Sequence, residues 1–303
     1  MVCFKNTIIL SLYFVFYLPK VVTGTEIYGK VNLSLQTSAE GKGVLSEIKS
    51  NISRLGLKDS LKLNESINLI YQLEYRVNTA LDRLNADIIS SGNQYFGFKG
   101  SFGELFIGKN DTVLKKSQGK VDLFNGLSGD IKAQWKGENR IANTVTYQSP
   151  KINEIQFLTT YIEANGTFSL ALFYGDKRLN KTKIFTSIAT DLKVNGYNIL
   201  RITSQAKVAS FVLGTMVQRQ KKLETGDTMD GFLFSVKYQL AKVVLNSQYQ
   251  FSDYIRGEIN KVASFGVEYK VALNTKLYTF FTHFNFDENR DQNYLGLGIQ
   301  YEF

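Results

Sequence analysis

The sequence predicts an all-β fold, a transmembrane antiparallel barrel of about sixteen strands. The composition points to strands, because the chain has 17 Tyr and 22 Phe but only 2 Pro. Aromatic side chains favour strands, and a near absence of proline leaves the backbone free to donate ladder hydrogen bonds. Alternating segments of about ten residues recur along the chain, which is the spacing of transmembrane strands.

The C-terminal segment, residues 294–303, gives the sharpest pattern. Side chains alternate across a strand with period two. One face is apolar and the other small or polar; the apolar face carries Leu295, Leu297, Ile299, Tyr301 and Phe303. A strand of a soluble sandwich could have this pattern, but soluble chains usually end in polar, fraying residues. A strand that faces lipid on one side and a lumen on the other explains both the alternation and the terminal Phe.

Residues 1–24 have the features of a secretory signal peptide. Lys5 is the positive start, residues 7–18 are the apolar centre, and residues 22–24 (Val-Thr-Gly) form a small-residue cleavage site. We therefore expect the mature chain to begin at Thr25. An uncleaved anchor is the alternative, but the apolar run is short and no charged stop follows it.

Cleavage would remove the single cysteine, Cys3, and with it any disulfide or thiol chemistry. It would also remove Lys5 and Lys20 and no acid, which lowers the net charge from +9 to +7. The basic residues are spread along the chain, so solvated loops and a basic pore lining explain them better than nucleic-acid binding. No later run reaches the ~18 apolar residues of a spanning helix, so a membrane fold must be a closed barrel.

The predicted strands are separated by connections of alternating length. We place the strands at 27–37, 51–59, 66–76, 94–100, 103–110, 140–148, 153–163, 166–175, 183–192, 196–205, 208–219, 231–240, 242–251, 261–270, 273–283 and 293–303. Long connections are predicted at 38–50, 77–93, 111–139, 220–230, 252–260 and 284–292. Asn165-Gly166 and Asn195-Gly196 predict tight hairpin turns. With both termini on the periplasmic side, one barrel domain covers residues 25–303.

Several stretches resemble the Gram-negative general porin family. They lie in order along nearly the whole mature chain, at 27–31, 53–58, 70–74, 96–109, 140–150 and 269–278. The resemblance implies a sixteen-stranded outer-membrane diffusion barrel, usually trimeric, with loop 3 folded into the lumen. It also implies a role for the terminal Phe303, with Tyr301, as the assembly signal. The implied partners are outer-membrane lipid, lipopolysaccharide, the barrel-assembly machinery, small solutes and ions, and not nucleic acid.

In this family a carboxylate cluster on loop 3 faces a basic ladder on the opposite wall. The corresponding loop-3 acids would be Asp111, Asp122 and Asp130. The same loop also carries five lysines, more positive charge than the family pattern leads us to expect: Lys115, Lys116, Lys120, Lys132 and Lys136.

Strand parity assigns the wall. If the leucines and isoleucines of the first three predicted strands face lipid, their charged neighbours face the lumen. The predicted basic ladder is then Lys30, Arg54, Lys58 and Arg76, with Glu74 among them. The fourth strand departs from the family, since Gly92 stands where an arginine is expected.

We predict a passive channel for small hydrophilic solutes, not an enzyme, with a mild anion preference and no cofactor. The alternatives are a non-conducting barrel that acts as an adhesin, or a lipid hydrolase dependent on His283, the sole histidine. No nucleophile motif lies near His283, and no Cys/His cluster suggests a metal site. Trp135, the only tryptophan, could pack loop 3 on the wall or lie at an interface.

Overall fold

The computed structural model describes residues 24–39, 43–80, 88–163, 166–254, 257–286 and 291–303. These ranges hold one antiparallel sheet and two short helical turns. The strands are β1 Glu26–Ala39, β2 Val44–Ser50, β3 Arg54–Lys62, β4 Ile67–Val77, β5 Ile89–Gly100, β6 Gly103–Asp111, β7 Arg140–Gln148, β8 Ile155–Ile162, β9 Thr167–Gly175, β10 Ile184–Val194, β11 Tyr197–Val208, β12 Phe211–Lys222, β13 Thr228–Leu240, β14 Val243–Tyr254, β15 Ile259–Ala272, β16 Thr275–Asn285 and β17 Gln292–Glu302.

The sheet closes on itself through its first and last strands. β1 pairs with β17 over ten residues, from Lys30 opposite Glu302 to Ala39 opposite Asn293. The other edge of β1 pairs with both β2 and β3, which therefore share one position in the wall. The described residues form a closed antiparallel barrel of sixteen wall positions, as the sequence predicts, and closure removes the sheet edges.

The second wall position corrects one sequence prediction. Residues 44–50, expected in a long connection at 38–50, form β2, and the predicted strand at 51–59 begins only at Arg54. Between the two strands, Ile52 has a positive φ of 58°. The register with β1 shifts by one residue across this break: Leu33 pairs with Ser50, whereas Lys30 pairs with Arg54. The interruption therefore behaves as a bulge.

The two faces of the wall differ in chemistry as the alternation requires. Large apolar side chains are exposed on the outer face, for example Leu35, Leu55, Phe96, Ile188, Phe234 and Leu297. Their neighbours on the inner face are buried and mostly polar, including Asn32, Ser34, Ser169, Gln205, Gln248 and Ser264. An apolar outer belt around a polar interior is the pattern of a barrel in lipid.

Gly24, the first described residue, and Phe303 lie at one rim of the barrel, which we call the terminal rim. The connections at this rim span 63–66, 101–102, 149–154, 176–183, 209–210, 241–242 and 273–274. At the other rim, Asn195 and Gly196 both have positive φ, 49° and 80°. This is the backbone of the tight hairpin turn predicted there. Asn165 of the second predicted turn and the predicted leader through Thr23 lie outside the described residues.

The longest described connection, residues 112–139 (the long segment), packs against the inner face. It begins with helix α1, Val113–Ser117, which Thr112 caps by accepting a hydrogen bond from the Lys115 N–H. A single 3₁₀ turn, Ile131–Ala133, follows. Three buried apolar clusters join the long segment to the wall or to itself, centred on Leu114, Trp135 and Phe124. No helix within the described ranges is long and apolar enough to cross a membrane.

Candidate functional site

A row of three basic residues crosses neighbouring strands on the inner face. Lys30 pairs with Arg54, and Arg54 pairs with Arg76, so β1, β3 and β4 each place one cation at the same level. Like charges directly opposite on a sheet are destabilising. Three cations at one level therefore carry a cost in stability.

Glu74 lies beside this row and contacts three polar side chains. It accepts a hydrogen bond from the Tyr28 hydroxyl at 3.1 Å, and the Arg54 and Arg140 guanidinium groups each approach to 3.5 Å. A side chain at Gly92 would collide with Glu74, since a Cβ there would lie 2.6 Å from its Oε1. Glycine at position 92, where the family resemblance predicts an arginine, therefore leaves room for the Glu74 carboxylate.

Asp111, at the end of β6, holds the start of the long segment. Its Oδ1 accepts from the Arg140 Nε at 2.8 Å and from the Lys115 Nζ at 3.0 Å. Arg140 thus bridges Asp111 and Glu74, two predicted pore-lining acids. The sequence places Arg140 in a strand motif and indicates no charge role for it. The available signal is its position as the first residue of β7, next to the long segment.

Lys58 lies closer to the terminal rim than the basic row. Its ammonium group makes an ion pair with Glu26 at 2.9 Å, and both side chains are largely exposed. An exposed pair of this kind contributes little to stability. Lys58 shares the inner face with Arg54, but the structure gives it a partner of its own.

Asp122 and Asp130 lie where the long segment folds on itself. Asp122 accepts from the backbone N–H groups of Phe124 and Ile131 and from the Gln248 side chain, at 3.1, 3.2 and 3.1 Å. Asp130 accepts from the N–H groups of Gly126 and Lys132. Both residues are buried, at 8% and 2% exposure. This placement supports a role in shaping the segment rather than in lining open water.

Burial raises the pKa of Asp122, and the neighbouring Asp130 carboxylate raises it further. The hydrogen bonds from Gln248 and Ile131 oppose this shift, because they stabilise the ionised form.

Trp135 anchors the long segment to the wall. Its ring lies over Gly231, its Nε1–H donates to Ser252 Oγ at 2.9 Å, and it is 1% exposed. Of the two roles considered for Trp135, the structure selects packing against the wall. The glycine at 231 provides the space, since a Cβ there would lie 2.7 Å from the indole ring.

A buried ion pair that the sequence did not reveal fixes the end of the segment. Arg201 of β11 is fully buried and contacts Glu138 at 2.7 Å. The same guanidinium group donates to the Gln218 side chain at 2.7 Å and approaches the Leu114 carbonyl at 3.4 Å. One arginine therefore holds both the beginning and the end of the long segment.

A second group of cations surrounds the α1 end of the segment. Lys116 and Lys120 come from the segment, while Lys177 and Arg178 come from the turn that joins β9 to β10. Burial, and next the Lys116 ammonium group, lowers the pKa of Lys177 to about 7. Burial also lowers the pKa of Lys116 to about 8. Neighbouring cations lower the pKa of a lysine because each disfavours a further positive charge nearby.

His283 lies on the outer side of the wall, near the opposite rim. It shares the outer face of β16 with the exposed Phe281, and its Nδ1 is 2.8 Å from Asn293 Oδ1 on β17. His283 and its polar neighbour Asn293 do not form a nucleophile and base facing the lumen.

The chain end completes the seam between β1 and β17. Phe303 exchanges two backbone hydrogen bonds with Gly29, at 2.8 and 3.1 Å. Its ring covers Gly29 and stacks on Tyr301 with centroids 5.8 Å apart. Both aromatic rings are exposed on the apolar face, and so belong to the outer belt.

A closed antiparallel barrel with an apolar belt and a charged, polar interior defines an outer-membrane channel. Comparison with known families agrees: the model described as "Gram-negative porin" matches residues 23–292. The chain belongs to the Gram-negative porin family, and it is a multi-pass β-barrel of the outer membrane.

Solved structures share the fold at low sequence identity. An anion-selective porin from Comamonas acidovorans is 14% identical with a TM-score of 0.79, over 92% of this chain and 99% of that one. A Salmonella typhi OmpF complex with daunomycin is 13% identical with a TM-score of 0.72, over 92% and 97%. OmpT of Vibrio cholerae, in a trimer form, is 16% identical with a TM-score of 0.70, over 92% and 99%. No curated protein matches the sequence.

Proposed function

We propose that this channel passes small hydrophilic solutes passively with a mild preference for anions. The observation that carries the preference is the distribution of cations around the interior. Lys30, Arg54 and Arg76 form one basic row, and Lys116, Lys120, Lys177 and Arg178 surround the α1 end of the long segment. Fixed charge of one sign along a wet pore raises the local concentration of the opposite ion.

The long segment serves, on this proposal, as the constriction of the pore. Its contacts favour this role: it bonds to Ser169, Gln205 and Gln248 on the inner face of β9, β11 and β14. At its tip, Ser128 reaches Gln36 of β1 at 2.9 Å. The basic row on β1, β3 and β4 would then face the segment across the open water.

Two further features belong to the proposal. Residues 1–24 direct export and are removed, and the barrel assembles as a homotrimer in contact with lipid and lipopolysaccharide after folding by the assembly machinery. The trimer form of the Vibrio cholerae structure supports the oligomer, and the anion selectivity of the Comamonas protein supports the sign of the preference. We propose a channel and not an enzyme, since the Nδ1 of His283 lies against the amide oxygen of Asn293 and not against a nucleophile or a carboxylate.

Planar-bilayer recording of the refolded mature chain tests the proposal, with the reversal potential measured across a salt gradient. We expect stepwise conductance, in groups of three for a trimer, and a reversal potential on the anion side. Cation selectivity would contradict the charge assignment and leave the channel intact. A verified folded barrel without conductance would overturn the diffusion function.

A further inference from the structure

The turn between β9 and β10, residues 176–183 (the inward turn), bends from the terminal rim towards the long segment. Leu179 is buried in the same apolar cluster as Val113 and Leu114. Gln205 joins the two: its Oε1 accepts from the Lys120 N–H, and its Nε2 donates to the Lys177 carbonyl. The inward turn is therefore packed against the long segment.

Asp176 shapes the inward turn with its own carboxylate. It accepts from the backbone N–H groups of Arg178, Asn180 and Lys181, at 3.0, 2.9 and 3.2 Å. These donors stabilise the ionised form and lower the pKa of Asp176. In the described part of the chain, this carboxylate makes no ion pair with the lysines beside it.

Between the inward turn and α1 lies a cavity of about 290 Å³. Five cationic side chains line it: Lys115, Lys116, Lys120, Lys177 and Arg178. Its one carboxylate, Asp111, is already shared by Arg140 at 2.8 Å and Lys115 at 3.0 Å. Within the described ranges the other four cations have no carboxylate at ion-pair distance.

Aromatic rings support two of these cations. The Lys116 ammonium lies 5.1 Å from the Phe106 ring centroid, and the Lys177 ammonium lies 4.4 Å from that of Phe173. A cation over a ring face is attracted by the ring quadrupole, which limits where the ammonium group can move. The cations other than Lys115 are held close together around an open space whose one lining carboxylate, Asp111, pairs with Arg140 and Lys115.

We propose that this cavity is a binding subsite for small doubly charged oxyanions of the phosphate and sulfate type, separate from the basic row on β1, β3 and β4. Such an anion presents several acceptor oxygens, which suit ammonium groups and a guanidinium fork. Chloride offers one charge and no such geometry. The cavity has the volume of about ten waters, so it holds the anion together with part of its hydration. The subsite deepens the proposed anion preference and depends on it for access through the lumen.

The test uses the full mature chain in planar bilayers at pH 7 and constant chloride, with sodium phosphate added stepwise. We expect a saturable fall in chloride conductance. The double variant Lys177→Gln/Arg178→Gln should raise the half-blocking phosphate concentration at least about tenfold, the effect of losing one charge-assisted hydrogen bond. Sulfate should block in the same way, and block by phosphate alone would overturn the oxyanion class.

The matched control is Lys207→Gln/Lys242→Gln, which removes two exposed charges at the same rim outside the cavity. It should leave the half-blocking concentration unchanged. An equal shift in the control, or no shift in the cavity variant, would overturn the subsite. Folding of each variant is checked by electrophoretic mobility before and after heating, and Arg178→Gln alone replaces the double variant if that fails to fold.

Phosphate binding to the detergent-folded protein, measured by ³¹P NMR titration, separates the subsite from the channel function. Saturable binding that the cavity variant loses supports the subsite whether or not the barrel conducts. Anion-selective conductance without phosphate binding overturns the subsite alone. Absence of conductance overturns the proposed function, and the titration still decides the subsite.

Discussion

At the scale of single residues, the inner wall combines cations that repel one another with a carboxylate that holds them in place. Lys30, Arg54 and Arg76 are direct cross-strand neighbours, and Glu74 approaches Arg54 from the side. The space for Glu74 exists because residue 92 is glycine. A small residue on one strand therefore determines where charge lies on the next.

Replacing Lys30 and Arg54 together by Gln should shift the reversal potential towards cations. An exposed charge in a wet, salt-screened lumen contributes on the order of 0.5 kcal/mol, so the anion-to-cation permeability ratio should fall about twofold or more. Lys221→Gln/Lys261→Gln, at exposed positions that alternate outward, is the control and should change little. An unchanged reversal potential in the first variant would remove Lys30 and Arg54 from the pore lining.

Deleting Phe303 should lower the yield of folded barrel. The deletion removes the two backbone hydrogen bonds with Gly29 and the ring that covers it, all at the seam that closes the sheet. Gly29→Leu should act in the same direction, because a side chain there collides with the Phe303 ring. The folded fraction after refolding into lipid vesicles measures the effect, with Phe234→Ala, on the outer face away from the seam, as control. Normal trimer yield from the truncated chain would contradict the assembly role.

At the scale of elements, the long segment is held by polar anchors at its ends and by apolar packing along its length. Arg201 joins Leu114 and Glu138, near its two ends, and Trp135 packs into the cluster with Met216 and Met229. Burial raises the pKa of Glu138, and the Arg201 charge opposes this shift. The segment is thus pinned most firmly against β11 to β14.

Arg201→Gln should loosen the long segment. It leaves Glu138 buried without its partner, a change that typically costs about 3–5 kcal/mol when a buried pair is broken. We expect larger and noisier single-channel currents and faster proteolysis within residues 112–139. Arg219→Gln breaks the exposed pair with Asp230 and should leave the currents unchanged. Quiet, wild-type currents from a folded Arg201→Gln barrel would show that the pair does not hold the segment.

At the scale of the whole molecule, cationic side chains are concentrated in two places on the inner side of the barrel. The basic row belongs to β1, β3 and β4, and the second group belongs to the long segment and the inward turn. The second group titrates near neutral pH, since the pKa of Lys177 is lowered to about 7 and that of Lys116 to about 8.

The anion preference should therefore fall as the pH rises from 6 to 9. Lys177 and Lys116 lose their protons over this range and become neutral, which removes positive charge from the lumen. The charges that act on Lys177 are Lys116, Lys120, Lys151 and Asp111. Reversal potentials at each pH measure the change, and Lys116→Arg/Lys177→Arg, which stays charged throughout, should flatten the profile. A pH-independent wild type would place these lysines outside the ion path.

The sequence predicted the strands well because each strand must turn one face to lipid. Leu55 and Leu57 are exposed and the neighbouring Gly56 is buried, as the alternation requires. It did not predict β2, a seven-residue strand that ends at the break at residues 51–53. It also missed Arg201, Glu138 and Lys177, because their neighbours come from parts of the chain that only the fold brings together. Asp122 and Asp130 were named correctly as members of the segment, but the direction of their carboxylates depends on how it folds.

The break at residues 51–53 changes which positions of the chain face the inside of the barrel. Lys49 pairs with Ser34 and turns inward at an odd position, whereas beyond the break Arg54 turns inward at an even one. The number of residues in the break therefore determines which side chains of β3 face water and which face lipid. Loss of one residue here would turn Arg54 and Lys58 towards lipid while every side chain stayed chemically intact. The charge pattern of the pore thus depends on the number of residues in this break as well as on the identity of the residues that follow it.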